Sequence, residues 1–151
     1  MSQYPVLSKL QGDWRGSMRY AAGDELALAP FTLTGTMCVK IEGADCVIES
    51  SVVLPNGQER AVVMSADGSA QEGGQLKFSG EGPIDALVTE IAPDTVLLRE
   101  VERESGRVVM SVSMQVLADG ELRQIAHELA EGGGVSGVQM WTFVSDSPSG
   151  S

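Results

Sequence analysis

One histidine, two cysteines and a scatter of carboxylates and arginines carry the reactive chemistry available to this 151-residue chain. His127, in the run IAHEL, titrates near neutral pH and is the first candidate for general acid–base work. A lone imidazole without a recognisable partner more commonly serves a surface or structural role. Cys38 and Cys46, at C-x7-C spacing, add too few donors for zinc, which needs three or four converging ligands, so no metal is expected. No serine nucleophile elbow, phosphate loop or paired-cysteine redox motif is present.

Glu49 is the second catalytic candidate. On a strand it shares a face with Val47 and Val53 amid short polar residues. Enclosed in a cavity, its carboxyl would be raised in pKa by desolvation and would serve as an acid or a ligand anchor. The commoner reading is an outward or rim residue. The run LLREVERESGR, residues 97–107, reads first as a solvated hairpin with cross-strand ion pairs worth about 0–1 kcal/mol each. Its alternative is an inward arginine that anchors an acidic ligand. Parity allows Arg99 with Val101 inside, or Glu100 with Leu98, and does not choose.

These residues need elements to position them. Turn signals such as EGAD, PNGQ, ADGS, GEGP and ESG punctuate the chain and separate segments of alternating polarity. In RVVMSVSMQV, Val108, Met110, Val112, Met114 and Val116 share one face, while Ser111, Ser113 and Gln115 lie on the other with Val109. Ten strands are expected: 13–20, 31–41, 46–54, 59–65, 75–79, 84–91, 95–103, 107–117, 121–130 and 136–145. Ten short strands joined by hairpins predict an all-β fold, a closed antiparallel up-and-down β-barrel without exposed edges. A short N-terminal helical turn, YPVLSKL, would cap one end. Residues 121–130 also fit a helix, through Leu122, Ile125, Ala126 and Leu129. The strand reading is preferred because ADG before them makes a hairpin turn.

Composition narrows the function. With 42% hydrophobic and 21% charged residues, the chain has ordinary globular usage. Twenty-one acids against ten bases leave a net charge of −11, with no basic cluster to release counterions from nucleic acid or to bind anionic membranes. No nucleic acid and no membrane insertion are expected. The start lacks a secretory signal pattern. In a tight KIEGADC hairpin Ile41 faces Cys46 and Cys38 faces Glu49. Both thiols are therefore expected to be free and buried, in a reducing compartment such as the cytoplasm or a plastid stroma. Six methionines fall on strand-like segments, and aromatic residues are few, at three Phe, two Tyr and two Trp. A barrel lined mainly by Met, Val, Thr and Ser is expected to leave a cavity.

The opening stretch LQGDWRGSMRY places Leu10, Gly12, Trp14 and Gly16 at L-x-G-x-W-x-G spacing. It resembles the first strand of the calycin superfamily, the lipocalins and fatty-acid-binding proteins. The likeness is nearest to intracellular ten-stranded members, the nitrobindin-like and bilin-lyase-like barrels, whose penultimate hairpin resembles ADGELRQ. The resemblance implies that Trp14 packs at the closed end, that Gly16 lets the strand bend, and that Tyr20 lies near the first loop. Trp14, Met18 and Tyr20 would then face inward, with Arg15 and Arg19 outward. In the fatty-acid-binding relatives an interior arginine anchors the acid. Nitrobindin-like barrels bind haem through a histidine on the last strand. Here VSGVQMWTFV has none, and Met140 offers only a weak thioether, so haem is not expected.

The expectation is a lipocalin-like barrel over residues 1–146 with a flexible tail at 147–151. It would bind a small, largely apolar ligand or chromophore. The candidate lining is Trp14, Met18, Tyr20, Glu49, Arg99, Met110, Met114 and Met140. Two alternatives stand beside it: an enzyme on the same scaffold, a chromophore lyase or isomerase using Glu49 or His127, and a protein-interaction domain with an acidic surface. An oligomer is compatible with all three.

Overall fold

The computed structural model describes residues 4–22, 31–54, 56–68, 75–117 and 120–146. A short helix, α1 (Pro5–Lys9), precedes ten strands: β1 (Gly12–Ala22), β2 (Phe31–Glu42), β3 (Asp45–Val53), β4 (Glu59–Asp67), β5 (Leu76–Ser79), β6 (Ile84–Ala92), β7 (Thr95–Glu102), β8 (Val108–Val116), β9 (Glu121–Leu129) and β10 (Val135–Ser145). All pairings are antiparallel between chain neighbours, and β1 closes on β10, so the sheet is a closed up-and-down barrel. Strand ends differ from the sequence expectation by at most two residues, as at Ala22 for β1 and Asp67 for β4. The expected tail at 147–151 and parts of the AAGD, EGG and ADG turns lie outside the described residues.

Alternation decides what each strand buries. Trp14 and Met18 of β1, Leu33, Met37 and Val39 of β2, Val112 and Met114 of β8, and Trp141 and Phe143 of β10 point inward and are buried. Arg15, Arg19, Thr34, Thr36, Ser113 and Thr142 between them are exposed. Residues 121–129 are a strand, registered with β8 on one side and β10 on the other. Leu122 and Ala126 are fully buried, whereas Gln124 and Glu128 on the same face are half-buried. These two polar residues on an inward face are what blur the period-2 pattern and let it resemble a helix.

Helix α1 closes one end, where Tyr4, Val6, Leu7 and Leu10 are buried against the barrel core. Five residues cannot sustain a helix alone, so tertiary contacts hold it. The Glu90 carboxylate of β6 accepts the backbone N–H of Val6 at 3.1 Å and of Leu7 at 2.8 Å, satisfying two donors that a helix start leaves unpaired. Trp14 Nε1 donates to the Leu10 carbonyl at 2.8 Å, tying the first strand to the same cap. Trp14 therefore packs at the closed end, as the opening motif implied.

Two interior glycines shape the wall opposite the chamber. Gly16 and Gly35 are registered partners on β1 and β2. A Cβ on Gly35 would stand 2.9 Å from the Trp141 ring and 2.7 Å from the Ser51 carbonyl oxygen; one on Gly16 would stand 2.5 Å from the Phe143 ring. Without these side chains Trp141 and Phe143 lie flat on the wall, stacked with centroids 5.1 Å apart and planes at 8°.

Candidate ligand chamber

Above the closed end the barrel is not filled. A cavity of about 290 Å³ lies between the Trp141–Phe143 stack and the far wall, bounded by Met37, Ile48, Val52, Met64, Phe78, Leu98, Met110, Val112 and Met114. The volume is near the lower end of the roughly 300–1,000 Å³ usual for ligand pockets. The chamber adjoins a weakly paired seam. Among the described residues, strands β4 and β5 share a single registered pair, Ser65 with Ser79. Beside it opens a cleft of about 890 Å³ whose lining includes Val63, Ser79, Gly80 and Ile84. Val62, Met64 and Glu100 line both spaces, so cleft and chamber adjoin. A third hollow, about 690 Å³ and lined by Ser17, Thr34, Thr36, Ser51 and Thr142, lies on the outer wall behind the glycines.

The polar groups of the chamber gather away from α1. The Tyr20 hydroxyl donates to Glu128 Oε1 at 2.6 Å, and Gln139 Nε2 donates to Glu128 Oε2 at 2.7 Å. Gln139 Oε1 accepts the Trp141 indole N–H at 3.1 Å, which fixes the amide orientation. The carboxylate acceptor pushes the Tyr20 phenol up to about 12, with burial adding to it. Gly137 makes this bond possible, because a Cβ there would overlap the Tyr20 hydroxyl and stand 2.6 Å from Glu128 Oε1. Glu100 reaches the chamber from β7. Burial, and secondly the Glu128 charge, hold its carboxyl above the usual range. The register shifts between Glu100 and Val101 in the β7–β8 pair, and between Val135 and Gly137 in the β9–β10 pair. Such irregularities re-aim side chains beside sites.

Of the residues singled out from sequence, the structure brings together Met110, Met114 and, through Glu128, Tyr20. Met18 is buried in the same core, and Trp14 lies in the floor. Four stand elsewhere. Glu49 is on the outer face of β3, its side chain 47% exposed and 3.7 Å from Lys40, because Cys46, Ile48, Ser50 and Val52 take the inward positions. His127 is exposed, since Ala126 and Glu128 set the inward parity of β9. Met140 is 49% exposed, alternating with inward Trp141. Arg99 alternates with Leu98 and Glu100, and it is this second parity that fills the chamber wall. The hairpin pairs Ile41 with Cys46 and Cys38 with Glu49, and both thiols are free. Cys46 is fully buried, which pushes its thiol up to about 11. Cys38 is half-buried rather than buried, beside Asp13, whose hydrogen bond raises the Cys38 thiol.

Glu128, Gln124 and Gln139 were not singled out from sequence. The available signal was the polar residues on the inward parity of 121–129, which instead read as ambiguity between helix and strand. Among the described residues no three His, Cys, Asp or Glu side chains group as a metal site, and no helix is long and apolar enough to cross a membrane.

No protein-family model matches the chain, and no curated protein matches its sequence. Solved structures do match its fold. A protein of unknown function from the DUF3598 family of Nostoc punctiforme superposes with a TM-score of 0.71 at 12% identity over 92% of this chain, which spans only 48% of that one. The S-type phycobiliprotein lyase CPES from Guillardia theta gives 0.64 at 12% identity, covering 93% of this chain and 90% of the lyase. The structure of EF1p2_mFAP2b bound to DFHBI gives 0.51 at 12% identity, covering 95% and 99%. At such identity the likeness is one of fold alone: the closed antiparallel β-barrel described above.

Proposed function

We propose that this protein binds a compact, largely apolar small molecule or chromophore inside its barrel. The observation that carries this reading is the unfilled apolar chamber joined to a surface cleft at the β4–β5 seam. Natural interiors are packed nearly free of voids, so a chamber of this size costs stability unless something occupies it. Support by analogy of fold comes from one barrel of this architecture that is a phycobiliprotein lyase and another that holds DFHBI. Ligand-contacting roles fall to Met110, Met114, Glu100 and Gln139, with Trp14 and Met18 supporting them from the floor. The free thiols fit a reducing compartment such as the cytoplasm.

Native mass spectrometry with an absorption spectrum, on protein purified from its own source, tests the reading. The expected result is an additional mass that leaves on denaturation and is lost in Met114→Trp, which fills the chamber. A clean mass of 15.9 kDa, together with no uptake of apolar dyes by the wild type, would overturn it.

A further inference from the structure

We infer that the chamber selects an apolar molecule carrying a protonated nitrogen, an amine or an amidine, and that Glu100 receives it. The inference deepens the ligand-binding reading and rests on it. Three features of the chamber point to a cation. First, Glu100 lines both the chamber and its entrance cleft, yet no hydrogen bond or ion pair joins it to any described residue. Its neighbour Glu128 is different: both of its oxygens are already occupied, by Tyr20 and Gln139. Second, all ten lysines and arginines are among the described residues and none lines the chamber, so nothing in the protein neutralises Glu100 there. Third, one of the two Gln139 amide N–H groups is taken by Glu128, so Gln139 offers an anion at most one neutral donor against two carboxylates.

Each ligand class then meets a different environment. A carboxylate would face two like charges in a partly desolvated space. A neutral molecule would bury Glu100 further without giving it a partner, at the cost of holding an unpaired polar group out of water. A protonated nitrogen would form a charge-assisted hydrogen bond with Glu100 while Glu128 adds favourable potential. Its apolar body would lie against Met110, Met114 and the Trp141–Phe143 stack, where burial and aromatic contact hold it.

The test is equilibrium binding of three ligands on one naphthyl frame, 1-naphthylmethylamine, its isostere 1-naphthylmethanol and 1-naphthoic acid, to the wild type, Glu100→Gln and Glu49→Gln. Glu49 lies on the outer wall, so its variant controls for attraction of cations to the acidic surface. The expected result is an amine bound about tenfold tighter than the alcohol by the wild type and by Glu49→Gln, with the acid weakest. In Glu100→Gln the amine should lose its advantage over the alcohol, while the far-UV circular dichroism and melting temperature show that the variant is folded. Equal binding of amine and alcohol by the wild type would overturn the inference while leaving the chamber a ligand site. So would an amine preference that survives in Glu100→Gln or vanishes in Glu49→Gln. If none of the three binds, the ligand-binding reading falls and takes the inference with it.

Discussion

At the scale of single residues, the bond between Tyr20 and Glu128 controls the polar side of the chamber. It joins the end of β1 to β9 across β10, and it exists because Gly137 leaves room for it. A phenol raised to about 12 against an ordinary 10.0 is held neutral by the fold. The stability this contributes is fully present below the ordinary value and is lost as pH rises through the folded one. Glu128→Gln is therefore expected to bring Tyr20 back toward 10, read by phenolate absorbance in a Tyr4→Phe background. It should also cost about 1–2 kcal/mol at neutral pH by urea denaturation, since hydrogen bonds to charged acceptors are among the stronger ones. A Tyr20 titration unchanged in the variant would refute the assignment. Little of this was legible in the sequence. Parity left Arg99 and Glu100 equally placed, because both faces of 97–103 carry charge and the register shift beside Glu100 leaves no local trace. Glu49 misled for the opposite reason: its valine neighbours Val47 and Val53 sit on the outer face with it, so apolar company did not mark the interior.

At the scale of elements, the strands were legible and the helix was only half so. Strand boundaries follow from turn chemistry and alternation, both local, and eight or more residues of alternation are hard to mistake in β8. The ambiguity at 121–129 is physical: a chamber-lining strand needs inward polar groups, and those erase the pattern that identifies a strand. For α1 the sequence showed a turn with Pro5 at its start but not what holds it, since Glu90 is more than eighty residues away. Removing that anchor isolates its contribution. Glu90→Ala should cost about 1–2 kcal/mol, comparable to the loss of a good helix cap plus one hydrogen bond. The Trp14 indole environment should change with it, because its partner Leu10 ends the same helix. Glu90→Gln, which keeps one acceptor, should recover part of the loss. Equal denaturation midpoints for wild type and Glu90→Ala would show that apolar packing alone holds the cap.

At the scale of the whole molecule, the barrel is closed but not uniform. Among the described residues the β2–β3 ladder registers nine residue pairs and the β4–β5 ladder one, so the seam beside the cleft is the joint with the least to break. Regions with few backbone pairings open at lower free energy than the rest of a domain. That joint also carries Val62 and Val63, exposed at 55% and 56% on a strand of which one edge is nearly unpaired. A net charge of −11 adds self-repulsion that salt relieves, while also discouraging association through the exposed edge. The long ladders run unbroken from β9 through β10, β1, β2 and β3 to β4, and access falls where that run ends, at the β4–β5 seam. Hydrogen exchange followed by mass spectrometry should therefore find β4 and β5 the least protected of the ten strands. A ligand that fills the chamber should raise protection there more than anywhere else, because it touches Val62 and Met64 of β4 and Phe78 of β5. Protection that is uniform around the barrel would mean that the seam is as tight as the ladders. A ligand effect confined to the outer wall of β1 and β2 would move the site to the hollow behind Gly16 and Gly35.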